Sequence, residues 1–256
     1  MKYIISFLLR KIPRKYIQYV SHYFLRVIAI FYYGNKVQCP IDGRTYRKFL
    51  PYGRLESRPN ALCPSSLSLE RHRLMWLFLK EKTNFFTDQL KLLHIAPELC
   101  FMKIFENMKN IDYISADIES PLAKVKMDVH EIPFAENTFD VVFCNHVMEH
   151  VDDDIQAMSE IYRVLKPGGW AIIQSPVYMH LDKTLEDPSI TDPLEKEQVF
   201  GQNDHMRKYG RDYGDRLRKV GFKVTEDEFL NELSAEVRKR YALPVEEIIF
   251  FCEKGN

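Results

Sequence analysis

The chain has 256 residues, 46% hydrophobic and 13% aromatic, with 36 Lys and Arg balanced by 36 Asp and Glu. That supplies the core of one large α/β domain with an appendage, and it excludes a mostly disordered chain. The balance is uneven, since Lys2, Arg10, Lys11, Arg14, Lys15, Arg26 and Lys36 all precede the first acid, Asp42, leaving a net charge of −7 on the remainder. An acidic body argues against a surface built to track a nucleic-acid backbone.

Residues 1–35 read as a basic, apolar helical arm. Its cations interrupt it before about 18–20 apolar residues accumulate, so a membrane-spanning helix is not expected. The run Tyr3–Leu9 lacks the flanks of a secretory signal. Two readings stay open for the arm: interfacial helices on an anionic membrane surface, or helices docked on the chain itself or on a twin subunit. Five cysteines, Cys39, Cys63, Cys100, Cys144 and Cys252, without an export signal point to a reducing cytosol. The first reading of the arm would place the protein peripherally on the inner face of the membrane.

Residues 36–66 are rich in Pro, Gly and Arg and predict short hairpins or irregular structure. Residues 67–83 predict a helix capped by Ser66 or Ser68, opening a domain that runs to residue 256. Apolar runs then predict strands at Lys91–Ile95, Tyr113–Asp117, Val125–Met127, Phe139–Asn145 and Trp170–Ser175. Helical patterns fall between them at Glu98–Met108, Pro121–Lys124 and Asp153–Leu165, and "KPGG" at 166–169 predicts a turn. The acidic stretch 181–199 reads as an excursion over the surface or the site. A helix near Asp212–Val220 and two strands follow. Such alternation implies a Rossmann-like sheet with helices on both faces and its ligand outside the carboxyl ends of the strands.

Four stretches suit a nucleoside cofactor. "LLHIAPE" runs from a strand into a helix, and Asp117 follows about twenty residues later, where a carboxylate can accept both hydroxyls of a ribose. Asp128 and Val129 in "MDVHEIPF" sit at a strand end, offering an acceptor for an exocyclic amine and an apolar neighbour for a base. "FDVVFCNHVMEHV" and "IYRVLKPGGWAII" complete a strand, helix, turn and strand.

With "YISADIES" and "RVLKPGGWAIIQSP", these residues make 89–256 resemble a class I S-adenosylmethionine-dependent methyltransferase of the methyltransferase type 11 group. The resemblance implies a seven-stranded sheet and S-adenosyl-L-methionine as cofactor. Asp117 would hold the ribose, Asp128 and Val129 the adenine, and Asn145 and His146 would face the methionine moiety and the reacting methyl. "FGQNDHMRKYG", 200–210, resembles a substrate-side segment of one bacterial branch.

The departure lies in the opening turn. Against the usual acid and Gly-x-Gly-x-Gly, His94 takes the acid's place, Ala96 the first glycine's and Glu98 the second's. Ala96 still allows backbone approach to a ligand if its φ is negative, and Glu98 could meet the cofactor's ammonium. Candidate bases, needed only if the acceptor loses a proton, are His146, His150, His180 and His205. Of these His205 is preferred, because Arg207 and Tyr209 beside it could position a polar or anionic substrate. His150 reads more simply as a packing or capping residue.

Cys39-Pro-Ile-Asp42 and Cys63-Pro-Ser-Ser66 have the inner spacing of a zinc ribbon, and the resemblance implies Cys-x-x-Cys at both places. Asp42 and Ser66 stand where the second cysteines would be. Serine is a poor zinc ligand, so a stable closed metal site is not expected. The expected acceptor is a small molecule or saccharide, lipid-linked if the arm meets membrane. An RNA methyltransferase, disfavoured by the acidic body, and a non-catalytic binding protein, suggested by the missing glycines, are the alternatives.

Overall fold

A computed structural model describes Leu25, residues 27–53 and residues 57–256. Residues 1–24 and 26, the bulk of the expected arm, lie outside the described residues. No helix among the described residues is long and apolar enough to cross a membrane. The described residues divide into two compact units, those up to 86 with 98–104 and 229–247 forming the first and residues 87–97, 105–228 and 248–256 the second.

In the first unit, strands β1 (Tyr33–Gln38) and β2 (Thr45–Tyr46) pair antiparallel, as do β3 (Leu50–Tyr52) and β4 (Arg58–Leu62). Helix α1 (Glu70–Lys82) follows. Its N-cap is Leu69 rather than a serine, and Leu69 N–H donates to His72 Nδ1 at 3.1 Å. Ser66 and Ser68 turn their hydroxyls toward Cys39 instead, at 3.2 and 3.5 Å.

Arg73 organises this unit. Its side chain is fully buried, and its guanidinium donates to the carbonyls of Asn60, Ala61, Ser68, Tyr241 and Ala242 at 2.6–3.3 Å. The fork of five N–H groups suits that task, because one planar cation can satisfy carbonyls from three separate stretches of chain. The same guanidinium lies over the Phe49 ring, 4.6 Å from its centroid.

The second unit holds β5 (Leu90–Ile95), the end of α2 (Leu99–Asn107), β6 (Ile111–Asp117), β7 (Val125–Lys126), β8 (Phe139–Asn145), α3 (Asp154–Val164) and β9 (Leu165–Gln174). A two-residue ladder joins β10 (Leu185–Glu186) to β11 (Arg207–Lys208), and helices α4 (Pro193–Phe200) and α5 (Tyr213–Val220) flank them. The chain closes with β12 (Lys223–Asp227) and β13 (Ile249–Glu253).

Seven strands form one sheet in the order β12-β13-β9-β8-β5-β6-β7, in which β13 alone runs antiparallel to its neighbours β9 and β12 and the five from β9 to β7 are parallel. β5 and β8 are nearly continuous apolar runs, as expected of central parallel strands covered on both faces. Phe139, Phe143, Ile161 and Ile173 have no exposed surface, and burial of each stabilises by roughly 1.5–3 kcal/mol. From β5 the chain winds outward through β6 to β7 and then crosses to β8 on the other side, which makes the β5/β8 boundary a topological switch point.

Three local expectations differ from the structure. "KPGG" is the irregular start of β9, whose pairing with β8 shifts register between Phe139 and Val141. A Cβ on Gly169 would lie 2.9 Å from the carbonyl oxygens of Asp140 and Lys166, so this close passage requires glycine. Residues 121–124 make a turn, not a helix. The acidic stretch contains α4, whose N-cap Asp192 accepts from Leu194 and Glu195 N–H at 2.9 and 3.0 Å, with Pro193 opening the helix.

Candidate functional site

The carboxyl ends of the parallel strands gather the expected residues of the second unit. Ala96 follows β5, Asp117 ends β6, Asp128 lies two residues beyond β7, and Asn145 and His146 end β8. Ala96 has φ +48°, in the left-handed region and not negative as its β-carbon suggested. Its N–H donates to Ala116 O at 2.9 Å, so the parallel pairing of β5 with β6 continues one residue into the turn and holds the backbone there. Alanine thus adopts a conformation glycine takes without penalty, at about 1–2 kcal/mol.

Asp117 Oδ1 accepts from the N–H groups of Glu119 and Ser120 at 2.8 and 2.6 Å, which fixes the carboxylate at the strand end with one oxygen committed to the turn. Asp128 Oδ1 accepts from His130 N and stands 2.8 Å from His130 Nδ1, and the backbone bond chiefly, then the imidazole, hold its pKa below the usual carboxylate range. Val129 does not present an apolar face to a ligand, because its side chain is 6% exposed and packs in the core. His94 is likewise no surface residue. Its ring is fully buried among Phe105, Tyr113 and Phe143, with Nδ1 3.1 Å from the Tyr113 hydroxyl, so a cofactor cannot reach it without opening the core. Glu98 falls in the first unit.

At the end of β8 the chain turns sharply. His146 has φ +56°, and its N–H donates to Gln174 O at 2.7 Å across the β8/β9 boundary. A non-glycine residue held in this region marks a place where surrounding structure over-determines the backbone. His146 Nδ1 lies 3.2 Å from Glu149 Oε1, and Ser175 Oγ donates to Glu149 Oε2 at 2.6 Å. Burial of Glu149 would raise its pKa. The hydrogen bond and charge of His146, followed by the Ser175 hydroxyl, outweigh that and bring it below the ordinary range. Among the described residues, His146 Nε2 is buried with no hydrogen-bond partner.

The segment 205–209 is laced onto this turn. Met206 N–H donates to Glu149 O at 2.8 Å, and Arg207 donates to the carbonyls of Met148, Val151 and Asp152 at 2.6–2.9 Å and to Glu186 Oε2 at 3.0 Å. Tyr209 is fully buried, its hydroxyl 2.9 Å from Met148 O and 2.8 Å from Asp154 Oδ2. Neither residue is therefore a substrate contact. Arg207 has its donors spent on backbone, Tyr209 has no exposed surface, and both act by shaping the loop that carries His146, Glu149 and His150.

His205 is 4% exposed, its ring edge-on to His150 with centroids 4.6 Å apart. Burial chiefly, then His150, lowers its pKa. His150 Nδ1 lies 3.3 Å from Asp204 O. His180 is exposed, its ring edge-on to Tyr178 at 5.9 Å. Glu149 and Ser175 were missed in the sequence reading. The one signal available was an acid three residues after His146, where a turn can return it to the ring.

Residues 92–173, about a third of the chain, match the methyltransferase domain family. This segment is a methyltransferase domain. It runs from within β5 to within β9 and includes the ends of β5, β6, β7 and β8. The chain is 48% identical over 42 residues to a ubiquinone/menaquinone biosynthesis C-methyltransferase of Desulfotalea psychrophila, covering 16% of this chain and 17% of that protein. It is 31% identical over 130 residues to a sterol 24-C-methyltransferase of Pneumocystis carinii, covering 49% and 33%. It thus spans a third or less of the length of these curated relatives. Among solved structures, an S-adenosylmethionine-dependent methyltransferase from Mesorhizobium loti superposes with TM-score 0.47 at 14% identity, covering 71% of this chain and 98% of that one.

The knuckle expectation concerns the first unit. Cys39, Asp42 and Cys63 bring one donor atom each to within 4.8 Å of one another. Ser65 Oγ donates to Asp42 Oδ2 and lies 3.3 Å from Cys63 Sγ, while Ser66 Oγ lies 3.2 Å from Cys39 Sγ. Cys39 lowers the pKa of Cys63 by hydrogen bonding to it.

Proposed function

We propose that the chain is an S-adenosylmethionine-dependent methyltransferase acting on a small-molecule or saccharide acceptor. The observation that carries this reading is the row of strand ends. Ala96, Asp117, Asp128 and Asn145–His146 follow β5, β6, β7 and β8, four adjacent strands of one sheet, within and beside the switch point where a nucleotide-like ligand binds. The second oxygen of Asp117 is the acceptor for the ribose hydroxyls, and Asp128 is the acceptor for the adenine amine. The turn at Ala96 takes the left-handed conformation that glycine usually gives.

The sulfonium is already an activated methyl donor, so the protein's task is alignment and exclusion of water. His146 is the base for an acceptor that must lose a proton. With its Nδ1–H donated to Glu149, the imidazole keeps a lone pair on Nε2, and Ser175 holds Glu149 in turn. His180, exposed beside Tyr178, is a polar contact for the acceptor. Val27, Ile30 and Phe31 are 57%, 72% and 71% exposed directly after the basic stretch, which favours a lipid-linked acceptor at an anionic membrane surface.

Incubation with methyl-labelled S-adenosylmethionine and fractionated small-molecule and saccharide extracts tests the reading. A labelled product that disappears with Asp117→Ala at subsaturating cofactor is expected; no label in any fraction contradicts it. Retention of the full chain on anionic but not neutral vesicles, lost on deletion of residues 1–35, is expected for the lipid-linked acceptor, and a chain that stays unbound contradicts that part.

A further inference from the structure

The sequence sets Glu149 and His150 side by side and His205 fifty-five positions later, and the fold brings them together. One donor atom from each of the three lies within 4.8 Å of the others. A tetrahedral ion with ligands at about 2.0–2.1 Å separates them by about 3.4 Å, so the donors have at most about 1.4 Å to close. His150, with 35% of its side chain exposed, has room to supply that movement.

What lies behind each donor is more telling than the spacing. His150 Nδ1 faces Asp204, 3.3 Å from its carbonyl and 3.6 Å from its carboxylate. Among the described residues, His205 Nε2 is buried and has no partner. An imidazole that gives Nδ1–H to a carbonyl or carboxylate keeps a bare lone pair on Nε2, which is how metal-ligating histidines are usually held. Glu149 completes the pattern. Its oxygens accept from Ser175 and face His146, and carboxylate oxygens have further lone pairs to offer. Met206 N–H bonds Glu149 O at 2.8 Å and Arg207 spans the carbonyls around His150, so the two stretches that carry the donors are fixed to one another.

We infer that Glu149, His150 and His205 form a binding site for a divalent transition-metal ion. Two imidazoles and one carboxylate suit zinc, iron(II) or cobalt(II) and leave at least one coordination position open. Because Glu149 also faces His146, the site lies beside the base. An acceptor hydroxyl or carboxylate bound there would be oriented, and a hydroxyl made more acidic, before His146 takes its proton. The acceptor atom is then oxygen. This role in methyl transfer rests on the function proposed above; the metal site itself does not.

The test is titration of the metal-free full chain with cobalt(II), followed by visible absorption and calorimetry, in the absence of S-adenosylmethionine. One ion per chain is expected, with ligand-field bands and without the near-ultraviolet thiolate absorption that an ion on Cys39 and Cys63 would give. His205→Ala should abolish the bands, and His150→Ala, at a partly exposed position with little risk to folding, should weaken binding by at least about tenfold. His180→Ala should leave it unchanged. No stoichiometric cobalt, bands carrying the thiolate signature alone, or unchanged affinity in a folded His150→Ala chain would overturn the site. None of these outcomes bears on cofactor binding, which is measured separately.

Discussion

Cys39, Asp42 and Cys63 in the first unit and Glu149, His150 and His205 in the second are both triads of donors within 4.8 Å. In the first, each donor has a serine hydroxyl against it. Ser65 donates to Asp42 and stands against Cys63, and Ser66 stands against Cys39. In the second, Asp204 and Ser175 lie behind His150 and Glu149, and among the described residues His205 Nε2 has no partner. Proximity alone therefore does not distinguish a closed polar cluster from one open to a ligand. The outer hydrogen bonds do, by consuming the donor atom itself or the atom opposite it.

Catalysis should separate the regions most. His146→Ala is expected to lower methyl transfer by about 10²–10⁴-fold for an oxygen acceptor while leaving S-adenosylmethionine affinity intact. Cys63→Ser should leave the rate within about twofold. Steady-state kinetics on the labelled product checks both, and a large loss in Cys63→Ser would break the comparison.

A buried arginine stands behind each cluster and sharpens it further. Arg73→Met removes five hydrogen bonds to carbonyls and should cost at least about 3 kcal/mol in denaturant unfolding, with cobalt affinity unchanged in whatever remains folded. Arg207→Met takes its donors from three carbonyls, of which Met148 O keeps the Tyr209 hydroxyl, and should cost about 2–3 kcal/mol, with cobalt affinity reduced because the loop around His150 is released.

Acid should act on the second unit through Asp154. Burial pushes its pKa up, but the bidentate bond from Arg216 at 2.7 and 2.8 Å, the charge of Arg207 and the Tyr209 hydroxyl bring it below the ordinary value. A depressed carboxylate contributes stability that is present above its unfolded value of about 3.9 and is lost as pH falls through the folded one. Urea midpoints should thus fall more steeply below about pH 4 in the wild type than in Asp154→Asn, which lacks the contribution at neutral pH already. The smallest effect is expected from Ala96→Gly, which relieves the left-handed strain and should stabilise by about 0.5–1 kcal/mol in thermal unfolding.

The parallel strands β5, β6, β8 and β9 were legible because each holds a short apolar run, a pattern local sequence carries. The strand-end acids Asp117 and Asp128 were legible for the same reason, since locating the strand locates its end. Arg207 and Tyr209 were misread because a charged and an aromatic residue in a loop look like ligand contacts. Their partners lie 55 to 61 positions away, at Met148, Val151, Asp152 and Asp154, beyond the reach of spacing. The φ of Ala96 was equally invisible, because the pairing of Ala96 N–H with Ala116 O decides it, not the residue's own preference. α4 did leave a signal, an Asp before a Pro at Asp192–Pro193, which the acidic composition of its surroundings obscured.

The account rests on the strand-end row being a cofactor site, and isothermal calorimetry of the full chain with S-adenosylmethionine tests that most directly. One molecule bound per chain is predicted, with affinity at least about tenfold weaker in Asp117→Ala, the loss of about 1.4 kcal/mol expected for a charged acceptor on the ribose hydroxyls. No heat of binding from the folded wild-type chain, or equal affinity in the Asp117→Ala chain, would contradict it.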